Sequence, residues 1–175
     1  MTTTNCGAVF SGCERYRYTL WRTWDDSKPP LIFVMLNPST ADETKNDPTV
    51  ERCERRARRL GYGGVLVLNA YALRSTDPKG LKQVSDPVGP ANFEMISQAI
   101  GASDGQVVVA WGTHINSGHK GHERRVAQVL RLATDKPLLC LGTTKVGHPR
   151  HPLYIRNDQP LVRWWHDCDS EGTNG

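Results

Sequence analysis

Leu31-Ile32-Phe33-Val34-Met35-Leu36-Asn37-Pro38-Ser39-Thr40 decides the fold class of this chain. Its apolar half has no polar alternation, which predicts a strand buried on both faces, as in a parallel sheet. Lys28-Pro29-Pro30 breaks the chain before it, and Asn37 to Thr40 ends it with turn-forming residues. Similar runs recur downstream at Gly64 to Asn69 (GVLVLN), Gln106 to Trp111 (QVVVAW) and Leu138 to Leu141. Between the first two, Asp47-Pro48 predicts a helix start, because aspartate caps well and proline suits the first helical position. Gly61 is placed to stop that helix. Residues 90–100 and 119–132 also read as helices, the second with Val126, Val129 and Leu130 on one face. Residues 15–24 alternate polar and apolar-aromatic and read as a further strand.

Strands that alternate with helices predict an α/β protein with three layers, α/β/α, around a central four-stranded, mainly parallel sheet. One domain is expected over residues 1–166, with a disordered tail at 167–175. Ligands of such sheets bind at the carboxyl ends of the strands. Asn37-Pro38, Asn69, Trp111-Gly112 and the stretch from Gly142 to Tyr154 all fall at such ends, so they are expected to converge on one cleft.

Composition narrows the function classes. No apolar run approaches the ~20 residues that span a bilayer. The first residues lack the basic and apolar regions of a signal peptide, so a cytoplasmic protein with no membrane contact is expected; a monomer is expected as well. Five widely spaced cysteines contain no CxxC pair, which favours reduced thiols over an iron–sulfur cluster. His114, His119 and His122 lack the spacing of a zinc motif, so no metal and no cofactor are expected. No phosphate loop, dinucleotide fingerprint or GxSxG elbow is present. A net charge of +4 permits nucleic-acid binding without requiring it. Arg52, Arg55, Arg56, Arg58 and Arg59 crowd one predicted helix, where pairing with Glu51 and Glu54 is the ordinary outcome and phosphate binding the alternative.

Four of these segments, in order, resemble the motifs of the uracil-DNA-glycosylase superfamily. Leu36-Asn37-Pro38 resembles the first catalytic motif in its asparagine form, as in the mismatch-specific and single-strand-selective branches. Gly64 to Ala70 resembles the strand whose asparagine reads the flipped base, and Val107 to Gly112 resembles the strand ending in Trp-Gly. His148-Pro149-Arg150-His151-Pro152-Leu153 resembles the His-Pro-Ser-Pro-Leu loop. LNPSTAD together with GHPRHPLY is also similar to a family of bacteria and their phages that we place in this superfamily.

The resemblance implies excision of a base from double-stranded DNA. A base inside a duplex must be flipped out before it can be attacked, at a cost of a few kcal/mol. On this reading Asn37 orients water, and His148 or His151 donates to the departing base. Asn69, Ser39, Pro38 and Trp111 contact that base. Leu153, carried with Pro152, wedges into the stack, while Arg150 and Arg74 meet DNA. An ion pair with Asp77 is the competing role for Arg74. An amide is no strong base, so Asp42 is a candidate assistant from the loop. The His-Pro loop is one residue longer than the family's pattern, which leaves the choice between His148 and His151 open. Ser39 stands where strict uracil enzymes carry a tyrosine that blocks carbon five of the pyrimidine. The expected substrate is therefore a pyrimidine substituted there, such as a hydroxymethylated or glucosylated cytosine of phage DNA, with a role in antiviral defence. Two rival functions remain: a nucleoside or nucleotide enzyme on the same fold, which would need no wedge at Leu153, and a non-catalytic module that binds modified DNA, which would tolerate the loss of His148 and His151 and release no base.

Overall fold

The computed structural model describes residues 5–116 and 121–164. The seven strands of the described residues join one sheet, in the order β1-β2-β4-β3-β5-β6-β7. The buried runs form its centre. β3 (Pro30–Met35) pairs in parallel with β4 (Gly64–Asn69) on one side and with β5 (Val107–Val109) on the other, and β5 pairs in parallel with β6 (Leu138–Cys140). These four are the strands expected from the apolar runs.

The expected sheet of four strands is corrected to seven. β2 (Arg17–Thr23) adds antiparallel to β4, β1 (Asn5–Phe10) adds antiparallel to β2, and β7 (Val162–Arg163) adds antiparallel to β6. The parallel centre therefore carries antiparallel strands at both edges, a common arrangement in large sheets. β1 is largely half-buried or exposed and β7 is two exposed residues, so neither shows a buried apolar run.

Helices cover both faces. α1 (Pro48–Arg59) packs Val50, Cys53 and Ala57 against Leu31, Phe33 and Val67. α2 (Asn92–Gly101) and α3 (His122–Leu130) bring Ile96, Ile100, Val126 and Val129 to the opposite face, against Ile32, Val34 and Val107. α1 begins and ends as its sequence dictates. The Asp47 side chain accepts the Val50 N–H, and Gly61 takes φ +83° beyond the last turn. There the Tyr62 N–H reaches the Ala57 carbonyl and the Gly61 N–H reaches Arg58, which closes a Schellman motif. The helix expected at 119–132 is described from His122 to Leu130, with a 3-10 turn at Arg131–Ala133. His119, Trp165, Cys168 and the tail at 167–175 lie outside the described residues. Among the described residues, no helix is long and apolar enough to cross a membrane.

The chain leaves β3 toward β4 through α1, and reaches β5 through α2 on the other side of β3. The loops after β3 and β5 therefore diverge, and such a switch point is where open α/β sheets bind ligands.

Candidate active site

A cleft of about 240 Å³ opens at this switch point. Asn37, Ser39 and Thr40 reach it from the end of β3, and the first turn of α1 from one side. His114 reaches it beyond β5, and His151, Leu153 and Tyr154 from the loop after β6.

Asn37 is held by its amide nitrogen. Nδ2 donates to the Ser75 carbonyl at 2.8 Å and to the Pro38 carbonyl at 3.1 Å. Both partners are acceptors, so the orientation of the amide is fixed by chemistry. Its Oδ1 takes no hydrogen bond from the described residues and remains as an acceptor. The Ser75 N–H in turn donates to the Pro38 carbonyl at 2.9 Å, so the two loops are laced together behind Asn37.

His151 is also fixed in one form. Its Nδ1 accepts the Leu153 N–H at 3.3 Å, where it caps the short 3-10 turn Pro152–Tyr154. Burial, reinforced by His114 and opposed by Asp47, pushes its pKa down to about 4. The ring is neutral at pH 7, and with Nδ1 accepting, its proton sits on Nε2. Gly112 makes room for it: φ is +74°, and a Cβ there would sit 3.1 Å from the His151 Cβ.

Two buried charges complete the cleft, and neither was singled out as a site residue from the sequence. Arg17, 2% exposed, donates from Nη1 to the Ala41 carbonyl at 2.9 Å. Burial lowers its pKa to about 10 while Asp47 supports its charge, so it remains a cation at neutral pH. Asp47, 7% exposed, accepts the Val50 N–H on Oδ1 at 2.9 Å and the Ala41 N–H on Oδ2 at 3.3 Å. The only sequence signal for Asp47 was its cap position. Arg17 was hidden in an alternating strand.

Asn69 lies beside the cleft. It pairs with Met35, which lines it, and strand alternation puts it on the α1 face with Val65 and Val67. It is 1% exposed, and neither Oδ1 nor Nδ2 finds a partner among the described residues. Each such orphan costs about 1–3 kcal/mol.

The other expected site residues lie elsewhere. Asp42 accepts the N–H groups of Thr44 and Lys45 in a tight turn, and those bonds hold its pKa low. It does not line the cleft. His148 stands in the turn where Thr144 and His148 exchange hydrogen bonds, outside the lining. Trp111 is buried on the α2 and α3 face, edge-on to Trp164 at 5.3 Å. Pro38 and Pro152 are buried and do not line the cleft. Arg150 is exposed and donates to the Thr143 carbonyl at 3.0 Å. Arg74 lies over the Phe10 ring at 4.9 Å and does not line the cleft, and Asp77 caps the turn Pro78–Lys82, so the ion pair that competed with a DNA contact is not formed. Most of the arginine run is engaged. Arg55 and Arg58 pair with Glu51 and Glu54, while buried Arg56 donates to the carbonyls of Arg156, Asn157 and Gln159. His122 meets the Tyr71 hydroxyl at 2.7 Å on the far face, apart from His114. Among the described residues, no three His, Cys, Asp or Glu groups are placed to hold a metal.

A family described as "Protein of unknown function (DUF1643)" matches residues 17–153. The chain belongs to this family. The DUF1643 segment begins at Arg17 and ends at Leu153, and both of these residues line the cleft. β1 and β7 lie outside it, while the whole parallel centre lies inside. No curated protein and no solved structure matches the chain.

Proposed function

We propose that this protein is a DNA glycosylase: it receives a modified pyrimidine flipped from double-stranded DNA, hydrolyses its bond to the sugar and leaves an abasic site. One observation carries the reading. A neutral histidine with its proton on Nε2 and an asparagine with an unclaimed Oδ1 share one cleft. Breaking an N-glycosidic bond puts negative charge on the departing base, and a fixed donor there stabilises it. A fixed amide acceptor suits the orientation of the attacking water. The resemblance assigns the Watson–Crick edge of the flipped base to Asn69, whose unpartnered amide carries a donor and an acceptor but is buried outside the cleft lining. Half-buried Leu153 and exposed Tyr154 at the mouth suit the space a flipped base leaves in the stack. The ordered likeness to the uracil-DNA-glycosylase motifs supports the same reading. The small side chain of Ser39 and exposed Thr40 suit a substituent at carbon five, which would make hydroxymethylated or glucosylated phage DNA the target and defence the role.

The test is release of free base from duplexes holding uracil, mismatched thymine, 5-hydroxymethylcytosine or glucosylated cytosine. Release from a carbon-five-substituted base, reduced about 100-fold or more in Asn37→Ala, is the expected result. Release from no duplex would overturn the glycosylase reading. Cutting of plain uracil alone would overturn the substrate assignment.

A further inference from the structure

Asn37 cannot take a proton from water, yet hydrolysis requires that a proton leave it. Of the described residues that line the cleft, one carries a carboxylate, and that is Asp47. From this placement we infer that Asp47 is the general base of the site. The inference rests on the glycosylase reading.

Three features fit Asp47 for the task. Its carboxylate is nearly buried and anchored by one backbone N–H on each oxygen, which fixes its position and leaves lone pairs on both. It lies within electrostatic reach of both Arg17 and His151. The three therefore form one charged and polar unit around the same space, built from β2, the start of α1 and the loop after β6. Arg17 is 2% exposed with its Nε unpartnered, so its charge is directed to local groups rather than to solvent. Asp42, nearer in sequence to the Asn37 motif, has its Oδ1 occupied by the turn it closes and does not line the cleft.

The step balances without a cofactor. Water, oriented by the Asn37 Oδ1, attacks the anomeric carbon of the sugar. A carbon–oxygen bond forms as the carbon–nitrogen bond breaks, and its electron pair leaves with the base, met by the Nε2–H of His151. The water proton passes to Asp47 and then to the departed base, which restores the carboxylate.

The capping role of Asp47 must be separated from this one, and two variants do so. Asn and Ser both keep an oxygen for the Val50 N–H. Asp47→Asn keeps the cap on the Val50 N–H and removes the base, losing only the Ala41 N–H bond, which an amide nitrogen cannot accept; its single-turnover release should fall about 100- to 10,000-fold with DNA binding unchanged. Asp47→Ser opens space where the carboxylate stood, and added formate should restore part of the rate. A structural loss would not respond to formate while the thermal midpoint stays constant. Full activity in Asp47→Asn, beside an active wild type and a disabled Asn37→Ala, would overturn this inference and leave the glycosylase reading intact. Loss in both variants with no response to formate would assign Asp47 to the cap alone. A wild type that releases no base from any duplex would overturn the reading and the inference together.

Discussion

At the scale of single residues, hydrogen bonds decide what each group can offer a ligand. The two carbonyls that claim the Asn37 nitrogen leave only its oxygen, and the N–H that claims His151 Nδ1 leaves only Nε2–H. The depressed pKa of His151 links this arrangement to stability. Unfolded, the ring takes a proton near its ordinary pKa of about 6.5. Folded, it resists until about pH 4. Between these values the unfolded state binds more protons, so stability rises with pH through this window and is lost as pH falls. Wild type should lose on the order of 2 kcal/mol more than His151→Gln between pH 7 and pH 5. Urea denaturation at the two pH values measures the difference; equal losses would contradict a buried neutral ring. Asn69 predicts the opposite trade. Replacing its orphaned amide by leucine removes two unpaired polar atoms and should raise stability by about 1–2 kcal/mol while base release is lost. A variant that is both less stable and fully active would contradict the assigned role.

At the scale of elements, α1 carries more of the site than its charge suggests. Its start supplies Asp47, and its buried Arg56 grips three carbonyls of the segment that follows the Pro152–Tyr154 turn. The loop bearing His151 and Leu153 is thus tied to the helix that bears the carboxylate. Arg56→Ala would leave those carbonyls without a buried donor and should cost about 2–4 kcal/mol. Thermal unfolding reports the loss, and base release should fall as well although Arg56 is outside the cleft. An unchanged midpoint would contradict the clamp. The start and stop of α1 were legible in Asp47-Pro48 and Gly61, because caps are local chemistry. The grip of Arg56 was not, because its partners stand about a hundred residues away. For the same reason Asn37, Ser39, His151 and Leu153 could be expected at the cleft from local motifs, while Arg17 and the orientation of Asp47 appear only once β2 and α1 meet. Asp42 and Trp111 show the converse, since both stand outside the cleft lining: a short sequence distance and a strand-end position do not say which way a side chain faces.

At the scale of the molecule, the parallel centre was readable because fully buried strands announce themselves as apolar runs. β1 and β7 were not, since β1 is exposed or half-buried at most of its positions and β7 is two exposed residues. That division matches the family boundary, because the matched residues 17–153 contain the four parallel strands and leave both outer strands out. β1 is therefore expected to support the sheet and not the chemistry. Gly7 packs flat against the Trp21 ring, and any Cβ there would overlap it. Gly7→Val should destabilise by about 1–3 kcal/mol and leave the rate of base release below its melting temperature unchanged. Loss of activity in a folded Gly7→Val would show that the site extends to this edge.

The cleft at the β3/β5 switch point is proposed to do the chemistry. Single-turnover release of free base, measured on the best duplex substrate for wild type, His151→Ala and His148→Ala, tests it most directly. Release should fall about 100-fold or more in His151→Ala and persist in His148→Ala, whose side chain stands outside the cleft. Release that survives the loss of His151, or depends on His148 instead, would contradict the account.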